Sequence, residues 1–173
     1  MRARPFGRAR FYRKDMFREL TRIKQKLPLS ECKEVLRTTL RGTLAVNGDE
    51  GYPYALPINH YYDKATHTLF FHSGKAGYKI DCITRSGKAC FTVTDEGERR
   101  ENEWWLTFRS VIAFGKITAV QDAQTIERIS RALSHKFTQD EGYIDHEIEK
   151  YAPATLLLAL EIEDVKGKIV REK

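Results

Sequence analysis

The spacing of apolar and polar positions changes along the chain, and each change marks an element. From Ser30 to about Thr39 the spacing is helical, with Cys32, Val35, Leu36 and Leu40 on one face and Ser30 placed to cap the first turn. Gly42 to Val46 and Tyr52 to Tyr61 read as strands around Asn47-Gly48-Asp49-Glu50-Gly51, a run with hairpin-turn chemistry. Pro53 and Pro57 withhold backbone donors, which predicts an edge position or a bulge for the second strand. A turn at Asp63 to Thr66 leads to a third strand, Thr68 to His72. A short helix, Ala76 to Arg85, ends at Ser86-Gly87, and a fourth strand covers Ala89 to Thr94.

The charged stretch Asp95 to Glu103 reads as a loop, joined by Trp104 to Phe108 to the clearest long strand, Val111 to Val120. Gly115 marks a bend or bulge in it. Helices are predicted from Asp122 to about Phe137, with Ile126, Ile129 and Leu133 inward, and from Asp140 to Lys150. An apolar strand, Thr155 to Ile162, follows, and Gly167 punctuates the tail. The order predicts an α+β fold: a six-stranded antiparallel split β-barrel with flanking helices. Full crossover helices between strands, and the G-x-G-x-x-G signature of dinucleotide folds, are absent.

At 173 residues the chain suits one domain, expected over residues 29–173 behind a basic N-terminal arm at 1–28. Ten Lys/Arg and two Asp/Glu fall in residues 1–26, leaving twenty and twenty-two for the rest. The net charge of +6 therefore belongs to the arm. Such an arm suits nucleic acid or an anionic surface, but a solvated or packed extension is the favoured reading. Phe6, Phe11, Tyr12, Met16 and Phe17 predict that part of it packs on the body. No apolar run is long enough to span a bilayer and no signal-peptide core is present, so a soluble cytoplasmic protein is expected. Cys32, Cys82 and Cys90 form no C-x-x-C pair and are expected as reduced, buried thiols.

Candidate chemistry centres on His72-Ser73-Gly74-Lys75-Ala76-Gly77-Tyr78-Lys79, a strand-to-helix turn lacking the G-K-[ST] ending of a Walker A loop. Free N–H groups and the helix dipole make such a turn able to hold a phosphate; an ordinary connection with solvated lysines is the alternative. Lys79 sits in the first helical turn and can reach back to an anion, whereas Lys75 precedes the helix and is expected to project to water. His60, His67 and His72 do not make a metal site: His67 and His72 differ in strand parity, and no carboxylate completes a ligand spacing. Trp104 and Trp105 are adjacent, so one can face inward and the other outward.

Five motifs occur in order. They are Gly42-Thr43-Leu44-Ala45; Gly51-Tyr52-Pro53-Tyr54-Ala55-Leu56-Pro57-Ile58-Asn59; Phe71-His72-Ser73 with Gly77-Tyr78-Lys79-Ile80-Asp81; Cys90-Phe91-Thr92-Val93; and Phe108 to Gly115. This set closely resembles the pyridoxamine 5′-phosphate oxidase-like split-barrel flavoproteins, above all their nitroimidazole-resistance (Nim) branch, over roughly Leu29 to Lys168. The resemblance implies a homodimer with FMN in a groove at the subunit interface, FAD being the alternative flavin. It puts the phosphate turn on His72, Ser73, Tyr78 and Lys79, with Phe71 of the same motif a further cofactor-binding candidate, and the ring-contacting strand on Leu56, Pro57, Ile58 and Asn59. The closing interface strand falls on Arg109, Ser110 and Val111. Of the tryptophans, Trp105 is the candidate for an aromatic wall beside the partner's flavin, a core or interface tryptophan being the equal alternative. Pro57 has no N–H, so a ring hydrogen bond would come from Ile58 or Asn59.

Asn59 and Tyr78 stand where the pyridoxamine oxidases proper carry basic residues, and their C-terminal substrate arginines are not evident. Oxidation of pyridoxamine phosphate is therefore not expected. No residue stands out as a catalytic acid or base. Two functions fit: an FMN-dependent oxidoreductase passing electrons from NAD(P)H to nitroimidazoles or other small acceptors, or a non-enzymatic flavin- or haem-binding carrier or sensor.

Overall fold

The computed structural model describes residues 17–172; Phe6, Phe11, Tyr12 and Met16 lie outside them. Helix α1 (Leu29–Thr38) buries Cys32, Val35 and Leu36 as expected. Ser30 is not its cap. The helix begins one residue earlier, after an extended Pro28 (ψ 150°) that has no side chain to cap it. Leu40 is 47% exposed rather than buried, because Thr39 is already extended and turns the chain off the helical face.

Strands β1 (Arg41–Asn47) and β2 (Pro53–Asn59) form the expected hairpin, in register from Asn47 opposite Pro53 to Arg41 opposite Asn59. Only His60 separates β2 from β3 (Tyr61–Asp63), which pairs with β4 (Thr68–Gly74). Next come α2 (Tyr78–Arg85), β5 (Lys88–Thr94), β6 (Glu98–Arg99) and β7 (Leu106–Ala119). Helices α3 (Ala123–Ser134) and α4 (Glu141–Tyr151) precede β8 (Thr155–Arg171).

The sheet runs β2-β1-β5-β7-β8-β4-β3, with β6 hydrogen-bonded to β7, and every pairing is antiparallel. Its two ends, β2 and β3, are one continuous stretch of chain. Residues 53–63 therefore cross from one edge to the other and curl the sheet into a split barrel. The strand count is eight, not six. His60 breaks the long second strand in two, and β6 emerges from the charged loop by pairing Glu98 with Thr107. As expected, β2 is an edge strand and the β7 register shifts at Phe114/Gly115.

Strand β8 does not stop at Ile162. Gly167 lies inside it and lets α1 approach: a Cβ there would come within 2.4 Å of Cys32 Sγ. Leu27 is buried on the same spot and donates to Gly167 O (2.9 Å), and Phe17 stacks on Phe114 at 5.3 Å.

Alternation on β4 builds two cores. Leu69 and Phe71 enter the barrel, where Phe71 meets Phe91 at 5.1 Å, while Phe70 packs outside with Val120, Ile129, Leu157 and Ala159 beneath α3. Each fully buried side chain of this kind contributes roughly 1.5–3 kcal/mol. Asp122 and Asp140 cap α3 and α4 by accepting from Thr125 N (2.8 Å) and Tyr143 N (3.0 Å). The cysteines are free; Cys32 and Cys82 are buried and Cys90 partly so. No helix among the described residues is long and apolar enough to cross a membrane.

Candidate functional site

Along the split runs β2. Tyr54, Leu56 and Ile58 pack on the barrel core, and Pro57 and Asn59 alternate to the other side. With β1 as its sole strand neighbour, β2 directs alternate backbone groups to the split instead of a ladder. Pro57, lacking an N–H, is at home there.

At the far end of β2, Arg41 Nε donates to Asn59 Oδ1 at 2.8 Å. A guanidinium only donates, so the accepting atom is the amide oxygen and Asn59 Nδ2 is left as a donor. No carboxylate pairs with Arg41 among the described residues. His72 follows inward-facing Phe71 on β4 and so turns toward α3, where its Nε2 lies 3.1 Å from Ser130 Oγ. Burial lowers its pKa, favouring the uncharged ring. Arg41, Pro57, Ile58, Asn59, His72 and Leu133 line a cleft of about 460 Å³.

Just beyond the cleft, buried His60 and partly buried Lys136 fix the bend. His60 Nε2 donates to Leu36 O (2.7 Å), and burial pushes its pKa down to about 3. Lys136 Nζ donates to Thr39 O (2.6 Å) and His60 O (2.8 Å); burial, and then Arg37, bring its pKa to about 8.

The hairpin end of β2 is different. Tyr78 Oη accepts from Asp49 N at 2.8 Å, and its ring packs on Tyr54 at 4.7 Å. Gly48 permits this approach, since a Cβ there would lie 2.8 Å from Tyr78 Oη. Arg85 pairs with Asp49 at 2.7 Å, and Asn47 Nδ2 donates to Ser86 Oγ at 3.0 Å. Tyr78 is thus turned into the hairpin. Lys79 is partly buried, its pKa lowered by burial. Ser73 Oγ donates to Gly74 O at 2.9 Å. Lys75 does not simply project to water: Nζ donates to Pro153 O, because the turn after α4 passes beside it.

Pro57, Ile58, Asn59 and His72 therefore meet in one cleft. Ser73, Tyr78 and Lys79 sit where β4 passes into α2. Phe71 and Val111 are sealed core side chains, and Leu56 packs on that core. Ser110 is opposite Thr94 in the β5–β7 ladder. Arg109 faces a second cleft of about 900 Å³, which also shares Arg41, and is held there by Asp95 through two bonds of 2.7 Å. Trp105 packs at a tilt against Trp104 (ring centroids 4.4 Å apart), which is 70% exposed.

Sequence reasoning missed Arg41, Ser130 and Leu133. Arg41 was within reach, since placing the hairpin turn fixes every cross-strand partner and sets Arg41 against Asn59. Ser130 lies 58 residues from His72 and carries no local signal. Of the histidines, His60 bonds Leu36 O, His67 Nδ1 bonds Tyr62 Oη (2.7 Å), and His72 bonds Ser130.

An apolar wall with donors on its rim suits a flat ring that has an acceptor edge. An anion beside Lys79 would offset that ammonium's desolvation; in the first turn of α2 the N–H groups of Ile80 and Asp81 donate to Gly77 O (2.8 and 3.1 Å), which leaves those of Tyr78 and Lys79 for such an anion. The donor set thus fits a phosphorylated flavin.

The curled antiparallel sheet with a cleft at its edge strand is a split-barrel architecture, and the sequence itself gives the family. Residues 28–169 match the family model for pyridoxamine 5′-phosphate oxidase, and the chain belongs to this flavin-binding family. A sequence search of curated proteins finds no match. Among solved structures, a putative 5-nitroimidazole antibiotic resistance protein from Bacteroides thetaiotaomicron superposes with TM-score 0.69 and 17% identity, covering 83% of this chain and 86% of that one. The FAD and heme binding protein from Mycobacterium smegmatis gives TM-score 0.66 and 24% identity, covering 87% and 74%. An FAD binding protein from the same organism gives 0.62 and 17%, covering 86% and 99%. At these identities the likenesses establish the fold.

Proposed function

We propose that the chain is a flavin-dependent oxidoreductase that binds FMN, taking electrons from NAD(P)H and passing them to a small acceptor such as a nitroimidazole. The observation that carries this reading is the cleft at the far end of β2, where Pro57 and Ile58 give an apolar wall and Arg41, Asn59 and His72 a polar rim. When bound, the flavin supplies the two-electron chemistry. The protein's own residues bind, orient and exclude water: Leu56 to Asn59 against the ring, Ser73 and Lys79 with the first-turn N–H groups of α2 toward the phosphate. FAD is the alternative, in keeping with the FAD named for two of the similar structures.

The same reading makes the working unit a homodimer. Ile112 and Phe114 stand on the outer face of β7, and Ile112 is 37% exposed. A second subunit bringing Arg109 to Val111 and Trp105 to the neighbouring cleft would complete the groove. Sedimentation should give a dimer, and a stable monomer with full flavin occupancy overturns this part.

The test of function is direct. Purified protein should be yellow, release FMN on denaturation, and bleach with NADPH. Bound flavin that no nicotinamide reduces would instead favour a carrier or sensor.

A further inference from the structure

The polar rim of the cleft has a chemical bias that its residue types do not announce. Asn59 carries both donors and an acceptor; Arg41 Nε takes one of the two lone pairs of Oδ1, which orients Nδ2 as the free donor of the amide. His72 can present either ring nitrogen as donor, and Ser130 decides which. Ser130 is 9% exposed, and its hydroxyl has no other acceptor among the described residues. If the hydroxyl accepted from Nε2, its own proton would be buried without a partner, at a cost of about 1–3 kcal/mol. Ser130 therefore donates to Nε2, which leaves the proton on Nδ1, the ring nitrogen without a protein partner among the described residues. Arg41 adds guanidinium donors and a positive charge; no carboxylate among the described residues is ion-paired with it, and Glu31, Asp95, Glu96 and Glu98 share only the neighbouring cleft with it.

We propose that Arg41, Asn59 and His72 form a donor-rich site for the carbonyl-bearing edge of a flavin ring, binding the reduced ring more tightly than the oxidised one, with Ser130 as the positioning residue that sets the histidine tautomer. This rests on the flavin reading above. Reduction adds two electrons and one proton and leaves the ring with one negative charge. A site whose side chains offer mainly donors and a cation favours that charged state.

The experiment compares two-electron midpoint potentials of FMN-loaded wild type, Arg41→Gln, Arg41→Lys and Ser130→Ala, using dithionite as reductant. Oxidised-FMN affinities are measured alongside. Arg41→Gln should lose about tenfold of the preference for reduced flavin, a fall of about 30 mV for a two-electron couple. Arg41→Lys should keep most of it, and Ser130→Ala should lose about threefold, or ~15 mV. In the ligand-free chain, ¹⁵N spectra should show His72 protonated at Nδ1, shifting to a mixture in Ser130→Ala. Potentials unchanged in Arg41→Gln, or a wild-type His72 protonated at Nε2, overturn the proposal while leaving flavin binding intact. A wild type that takes up no flavin overturns both.

Discussion

At the hairpin end of β2, polar groups are engaged with one another. Tyr78 meets Asp49 N, Arg85 meets Asp49, and Asn47 meets Ser86, so α2 is clasped to the turn. At the far end, Arg41, Asn59 and His72 use one partner each and turn their remaining donors toward a cavity. The bend beyond them is held from inside, by His60 and Lys136, rather than by surface pairs. One edge strand thus carries a structural end and a receptive end. The difference lies in where the hydrogen bonds go, not in residue composition.

The largest effect should come from the bend. In the folded state burial keeps His60 neutral down to about pH 3, whereas in the unfolded chain its imidazole takes a proton near pH 6.5. Between those values the unfolded chain binds more protons. The stability is therefore full above pH 6.5 and falls as pH drops, by about 1.4 kcal/mol per unit at the steepest. Denaturant melts from pH 7 to 4 should show this slope, and His60→Gln should flatten it. An unchanged slope would mean that His60 is not the titrating group.

Next in size is the contrast between two lysines. Lys79→Ala should weaken flavin binding roughly ten- to a hundredfold, the loss of a charge-assisted bond of about 1.5–3 kcal/mol. Lys75→Ala removes the tie to Pro153 O and should cost stability while leaving affinity within a few-fold. Equal damage to binding from both would mean that the phosphate lies elsewhere.

Tyr78→Phe sharpens the contrast between the two ends. Tyr78 belongs to the expected phosphate turn, yet here it bonds the hairpin. Losing the hydroxyl should lower stability by about 0.5–1.5 kcal/mol and change flavin affinity little. A tenfold loss of affinity without destabilisation would make it a ligand contact instead.

The fold was largely legible because the hairpin, the α2 punctuation and the Gly115 bulge are local signals. Eight strands rather than six, and the run of β8 past Gly167, were not. A strand broken at buried His60, or a glycine admitting Leu27 and Cys32, is decided by tertiary contact. The site divides the same way. Pro57, Ile58 and Asn59 are contiguous and were readable as a strand. Ser130 and Leu133 join His72 only because α3 folds over the outer face of β4.

The smallest effect should come from the basic N-terminus. Removing residues 1–14 should leave flavin affinity nearly unchanged, since the contacts of Phe17 with Phe114 and of Leu27 with Gly167 are retained in the shortened chain. Loss of flavin from a folded, truncated chain would show that the segment reaches the cleft.

Whether the receptive end of β2 holds a flavin is the question on which the difference between the two ends turns. Titrating the ligand-free protein with FMN, while following the side-chain amide of Asn59 and the Nε of Arg41 by ¹⁵N NMR, tests that in one measurement. Saturable binding that shifts both signals, with the Tyr78 and Arg85 clasp undisturbed, is the expected result. Saturable binding that leaves Arg41 and Asn59 unmoved, or no binding at all, would contradict it.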